Sequence, residues 1–139
     1  RQQWLIRATE AMKLKDRIRF PGYLPKVELD VLMANSRAMI FPSLYEGFGL
    51  PVIEAMAAGV PVACSNTTAL SEVAGDAAIF FDPRIPTQIA KAMVSLAKDE
   101  TLREKLIKAG RERAIHFSDS DQMTRQYWEL FQYALAVDG

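Results

Sequence analysis

Two hydrophobic periods alternate along the first half of the chain. Short apolar-rich runs at Ile18–Phe20, Ala38–Phe41, Pro61–Cys64 and Ala78–Phe81 read as strands, the later ones as strands covered on both faces. Between them, helical patterns occupy Lys26–Asn35 and Pro51–Ala58, with a short helical turn near Ala69–Val73. A leading helix carries an apolar stripe of Trp4, Leu5, Ala8, Ala11 and Met12. Strand and helix in alternation predict an α/β fold, a Rossmann-like parallel sheet of about four strands joined by right-handed crossovers. A complete doubly wound domain has about six strands. Two leading strands are therefore expected upstream of Arg1, and residues 1–139 are read as a single domain cut at its N-terminal side.

After Pro83 the pattern turns wholly helical, which divides the chain into an α/β part (1–83) and a helical part (84–139). Ile89, Ala92, Met93, Leu96 and Ala97 form one stripe, and Leu102, Leu106, Ala109 and Ala114 the next. Ser118 to Asp121 offer N-caps for a last helix with Met123, Tyr127, Leu130, Phe131 and Leu135. Such spacing marks core or docking contacts rather than a cofactor site.

The chemistry concentrates between Ser43 and Glu54, where a Gly-rich turn leads from an apolar strand into a helix started by Pro51. Proline suits a first helical position because its missing N–H would have no partner there. Unpaired amides at a helix entrance favour a phosphate, and Gly47 and Gly49 would let a ligand approach the backbone. Glu54, read in the first helical turn, would be repelled by a pyrophosphate and suits a neutral diol such as a ribose. Glu46, in the loop, can face the sugar itself. The spacing of the two acids is not distinctive, because Glu104 and Glu112 repeat it in a helix of ordinary character. Acids in a first turn also suit the helix dipole.

Composition narrows the classes. Lys plus Arg and Asp plus Glu number 17 each among 139 residues, so no basic surface points to nucleic acid. No apolar stretch reaches the roughly 20 residues that span a bilayer, which leaves membrane association to other parts of a longer protein. The one cysteine, Cys64, sits in a buried-strand pattern and reads as an inert core thiol in a cytoplasmic setting. No His or Cys cluster has metal-ligand spacing, and His116, late in a helix, reads as a surface or helix-ending residue.

The intervening residues carry more information than the spacing. Tyr45 to Val62 reads Tyr-Glu-Gly-Phe-Gly-Leu-Pro-Val-Ile-Glu-Ala-Met-Ala-Ala-Gly-Val-Pro-Val, and resembles the signature of the retaining family 4 glycosyltransferases. Asp16 to Tyr23 upstream, and Ser65-Asn66, Leu70 to Ala78 and Phe81-Asp82-Pro83 downstream, follow in that family's order. The resemblance implies the C-terminal, donor-binding domain of a two-domain GT-B enzyme. It implies that Glu46 contacts donor-sugar hydroxyls near the reacting carbon, as the catalytic residue. Gly47, Phe48 and Gly49 would line the sugar and phosphate pocket, Leu50 and Val52 would give N–H groups to the pyrophosphate, and Glu54 would hold the ribose. Tyr23 and Leu24 match the loop bordering the base.

Further expectations follow from the same resemblance: a UDP- or GDP-linked donor, no metal or other cofactor, a basic pair of an Arg and a Lys upstream of Arg1, and a separate N-terminal acceptor-binding domain. Transfer would serve cell-surface polysaccharide or glycoconjugate synthesis, in the cytoplasm or at the inner face of the membrane. Two departures stand out. Ser36-Arg37 replaces a frequent acid before the second predicted strand, and Ser71 replaces a common proline before Glu72. Against the transferase stands a nucleotide-binding or assembly module with no turnover of its own; a nucleotide-sugar epimerase on the same architecture is disfavoured by the Tyr45–Glu54 signature.

Overall fold

A computed structural model of the chain describes residues 2–45 and 48–118. The backbone divides into two compact units, 1–30 and 31–139. In the first, α1 (Gln2–Ala11) ends where Lys13 turns left-handed at φ 57°, after its amide has bonded the Glu10 carbonyl. The expected strand Ile18–Phe20 does not form, and the helix α2 (Lys26–Ala34) follows it after an irregular stretch. An alternating triplet has no strand character by itself; it needs a neighbouring ladder to satisfy its amides and carbonyls.

The second unit holds one parallel sheet of three strands, not the four expected, ordered β1 (Met39–Phe41), β2 (Val62–Ser65), β3 (Ala78–Phe81). Met39 pairs with Val62, and Val62 in turn with Ala78. Alternation sorts the side chains onto two faces. Met39, Phe41, Val62, Cys64, Ala78 and Phe80 point to one core, while Ala38, Ile40, Ala63, Ile79 and Phe81 point to the other. On the first face lie the crossover helices α3 (Leu50–Ala57) and α4 (Thr68–Ala74), through Val52, Ile53, Ala55, Met56, Leu70 and Val73. On the second lies α5 (Pro86–Lys98), through Ile89, Ala92 and Leu96. Met93 and Ala97, read as part of the α5 stripe, are exposed, as are Ala57 and Ala58 at the end of α3. Helix α3 begins at Leu50, and that phase turns Val52 and Met56 inward instead.

Helix α6 (Glu100–Ser118) serves both cores. Its first turns send Leu102 and Leu106 to the second face, and its later turns send Ala109, Ala114 and Phe117 to the first. Gly110 lets it approach α3 closely: a Cβ there would lie 3.1 Å from Met56 Cγ. Arg113 anchors it further, its Nε donating to the Val73 carbonyl at 2.8 Å and its other nitrogen to Glu72, so that the open end of α4 is capped from outside.

Both sequence departures have structural reasons. Arg37 donates to the Ala97 carbonyl at 3.1 Å and pairs with Glu100 at 3.2 Å, while Arg103 bonds the same carboxylate and the Arg37 carbonyl. This lattice clamps the α5–α6 corner to the amino end of β1, where an acid would meet Glu100. Ser71 gives its amide to the Thr67 carbonyl at 2.9 Å, a bond proline would forfeit.

Two expectations can be checked by chemistry. Burial pushes the Cys64 thiol up to about 12, and the thiolate is the reactive form. A disulfide reagent at pH 8 should leave the native protein unlabelled at this position and modify it fully in guanidinium; rapid native labelling would contradict the packing. At Gly49, φ is 78° and a Cβ would stand 2.7 Å from Leu70 Cδ2. Gly49→Ala should lower stability by about 2 kcal/mol, combining left-handed strain and overpacking, read as a lower urea midpoint at unchanged slope.

Candidate functional site

All three strands run in one direction, so the connections leaving their carboxyl ends gather on one side, the position where open α/β sheets hold ligands. The β1–α3 connection contributes Leu44 and Tyr45, the β2–α4 connection Asn66 and Thr67, and the β3–α5 connection Asp82, Pro83 and Arg84. Among the described residues these line a crevice of about 340 Å³. The rim is cross-linked below. Ser65, buried, donates its hydroxyl to the Phe41 carbonyl at 3.3 Å, and the Asn66 amide bonds the Phe81 carbonyl at 2.9 Å. Ser43 closes the start of the first connection, its hydroxyl donating to the Tyr45 carbonyl at 2.8 Å.

Glu46 and Gly47 lie outside the described residues. The neighbouring positions show how the turn is held. Phe48 is half-buried and packs into the first core, which pins the loop by its side chain. Gly49 is the N-cap of α3, left-handed at φ 78° and ψ 33°, with no side chain capping the helix. Its glycine character thus answers a backbone requirement and the buried Leu70, rather than only the approach of a ligand.

The amides of the first turn divide unequally. Val52 is fully buried and gives its N–H to the Gly49 carbonyl at 3.0 Å, and Ile53 shares that acceptor at 3.3 Å. The expected phosphate contact from Val52 is therefore corrected, because its donor is spent within the helix. Pro51 has no N–H. The Leu50 amide has no acceptor among the described residues, and it marks the open positive end of α3.

Glu54 is half-buried. With α3 starting at Leu50 it lies one residue further in than the sequence pattern places it, just past the first turn, which holds no acid. Dipole stabilisation falls off within that turn, so the bland explanation for this carboxylate loses weight. Its Cβ, like every helical Cβ, tilts toward the helix entrance. Tyr23, exposed, and Leu24, half-buried, belong to the first unit, in the turn before α2.

The crevice also holds residues to which the sequence reading gave no role: Asn66, Thr67, Asp82 and Arg84. The available signal was topological, since every connection leaving the carboxyl end of a parallel strand belongs to the same rim. Arg84 grips Asp82 with two nitrogens, at 3.1 and 3.2 Å, and these hydrogen bonds hold the Asp82 carboxyl below its ordinary value. His116 is exposed in the last turn of α6, its ring edge-to-face with Phe117 at 5.8 Å, outside the crevice lining. Among the described residues no three His, Cys, Asp or Glu side chains gather as metal ligands, and no helix is long and apolar enough to cross a membrane.

Comparison with known proteins agrees with this architecture. The sequence profile described as glycosyl transferases group 1 matches residues 1–113. An O-antigen chain mannosyltransferase B of Escherichia coli is 45% identical over 101 residues, covering 73% of this chain and 26% of that protein. A glycogen synthase of Mycobacterium tuberculosis is 34% identical over 125 residues, 88% of this chain and 30% of its own. The chain thus spans between about a quarter and a third of the length of these relatives. Among solved structures, the sucrose-phosphate synthase of Thermosynechococcus elongatus superposes with a TM-score of 0.77 at 27% identity, over 96% of this chain and 34% of that one. The C-terminal domain of a group 1 family protein from Francisella tularensis superposes at 0.75 and 26% identity, over 83% of this chain and 60% of that one. With its parallel sheet, flanking helices and profile match, the chain belongs to the glycosyl transferases group 1 family, of which it forms the C-terminal GT-B domain.

Proposed function

We propose that this chain is the donor side of a glycosyltransferase that moves a sugar from a UDP- or GDP-linked donor to a glycan, lipid or small acceptor. The setting is cell-surface polysaccharide or glycoconjugate synthesis, in line with the E. coli relative being an O-antigen chain mannosyltransferase. One observation carries the reading: α3 opens at the carboxyl side of the parallel sheet with a left-handed glycine N-cap and no side-chain hydrogen bond capping it. A helix end of this kind has a partial positive charge and, from Leu50, an amide with no acceptor among the described residues, a combination that suits a phosphate.

The chemistry asks for that charge. Transfer breaks the bond between the anomeric carbon and the phosphate oxygen, and both electrons leave with the nucleoside diphosphate. Fixed dipoles aimed at the departing oxygens stabilise this charge without reorganising. In the proposal Gly47, Phe48 and Gly49 supply backbone around the sugar and phosphates, and Leu50 takes over the donor role first assigned jointly with Val52. Glu46 holds donor-sugar hydroxyls near the reacting carbon, Glu54 the ribose diol, and Tyr23 and Leu24 border the base. An N-terminal domain binds the acceptor, the anomeric configuration is retained, and the leaving group is stabilised without a metal.

Two measurements on the protein that contains this chain test the assignment. Glu54→Gln removes a charge-assisted hydrogen bond worth about 1.5–3 kcal/mol, so the Kd for UDP or GDP should rise about 10- to 100-fold by calorimetry. Glu46→Gln should instead lower kcat by at least about tenfold on the same scale with little change in nucleotide affinity. Unaltered values in both variants would remove the assignment. Transfer should also persist after EDTA treatment at an unchanged rate; loss restored by a divalent cation would show that the leaving group needs a metal.

A further inference from the structure

The donor reading rests on Phe48 to Glu54, none of which lines the crevice between Leu44, Tyr45, Asn66, Thr67, Asp82, Pro83 and Arg84, and it leaves that crevice without a role. We propose that this compartment, between Tyr45, Asn66, Asp82 and Arg84, binds a neutral sugar unit of the acceptor glycan, so that this domain contributes its own carbohydrate subsite beside the donor. The inference rests on the donor reading for its meaning, but the site is defined by its own residues.

Size comes first. At about 340 Å³ the cavity stands at the small end of small-molecule sites, roughly 300–1,000 Å³, which suits a monosaccharide unit better than an entire nucleotide-sugar. Its polar groups come next. Asn66 is exposed, and its carboxamide makes no hydrogen bond with any described residue, leaving both donors and an acceptor available. Thr67 takes the Leu70 amide at 3.4 Å with its hydroxyl oxygen, so its own proton remains to be given. Arg84 uses two nitrogens on Asp82 and retains further N–H groups.

Charge decides the ligand class. The Arg84 guanidinium is already neutralised, pairwise, by the Asp82 carboxylate. Asp82 is itself fixed from behind, its amide donating to Gln88 Oε1 at 2.8 Å, while its Oδ1 takes the Arg84 amide at 3.0 Å. A cation prepared for a phosphate or carboxylate would gain nothing from such a partner. A planar carboxylate, guanidinium and carboxamide with no net charge instead match the alternating donors and acceptors of a sugar ring. Tyr45, 92% exposed, adds an aromatic face, and Leu44 and Pro83 add apolar edges for its C–H groups. The pair itself adds little to stability, because the Arg84 side chain is 78% exposed.

Saturation-transfer NMR on the protein that contains this chain, with UDP or GDP at saturation, would test the subsite using methyl α-mannoside, methyl α-glucoside and maltotriose. At least one glycan should bind while the nucleotide is in place. Asn66→Ala with Arg84→Met should weaken that glycan about tenfold or more and leave nucleotide affinity within about twofold. Both side chains are exposed, and a circular dichroism melt confirms that the variant folds. Competition between glycan and nucleotide would overturn the proposal, as would glycan binding indifferent to the substitutions, no glycan binding at all, or preference for glucuronate or inorganic phosphate over the neutral sugars. If glycan binds as expected but neither nucleotide does, the subsite stands and the donor reading falls.

Discussion

The contact between Gly49 and Leu70 governs the rest of the site. Leu70 is fully buried in α4 and fills the volume that any side chain at position 49 would need. That contact joins two successive crossover helices at their entrances, and it requires the backbone at 49 to be left-handed and bare. From this one arrangement follow the direction of α3 and the capping of Val52 and Ile53 by a single carbonyl. Close-packed interiors transmit such constraints because they hold no slack. The glycine therefore acts on the ligand indirectly: packing fixes it, and the fixed turn presents the amide.

The two ends of the sheet have different duties. At the amino end, Arg37, Glu100 and Arg103 form a lattice that fastens the α5–α6 corner to the start of β1. Helix α6 then passes from one core to the other, and Arg113 caps α4 from across the interface while its guanidinium stacks 5.0 Å over Phe117. At the carboxyl end polar groups are left facing a cavity. Rigid elements thus hold the loops that meet ligand, the usual division in α/β folds. Through residue 118 the helical C-terminal part is accordingly built into the same two cores as the sheet; the last helix expected around Met123 to Leu135 lies outside the described residues.

Much of this was legible in the sequence because the responsible forces are local. The apolar runs at 38–41, 61–64 and 78–81 become strands within a residue of their expected bounds, since strands buried on both faces leave an unbroken hydrophobic signal. The helix expected over Pro51–Ala58 stops where a glycine follows it: Gly59 lies at φ 76°, with the Val60 amide reaching back to the Ala55 carbonyl. Cys64 was readable as an inert thiol from its neighbours alone. The run Tyr45–Val62 carries a glycosyltransferase signature in adjacent residues, and the profile match agrees at the level of glycosyl transferases group 1.

Tertiary structure decided what depends on partners distant in sequence. Ile18–Phe20 has the alternation of a strand but lacks a ladder, and pairing is not encoded in the triplet itself. The phase of α3 settled whether Val52 would offer its amide or spend it, a matter of a single residue in where the helix begins. The purpose of Arg37 needed Glu100, about sixty positions on, to become visible. Asn66, Asp82 and Arg84 looked like loop residues until parallel pairing brought three separate connections to one rim. Sequence fixes which segments are helix or strand through near-neighbour patterning; the cavity exists only because folding makes remote segments adjacent, and that adjacency has no local signature.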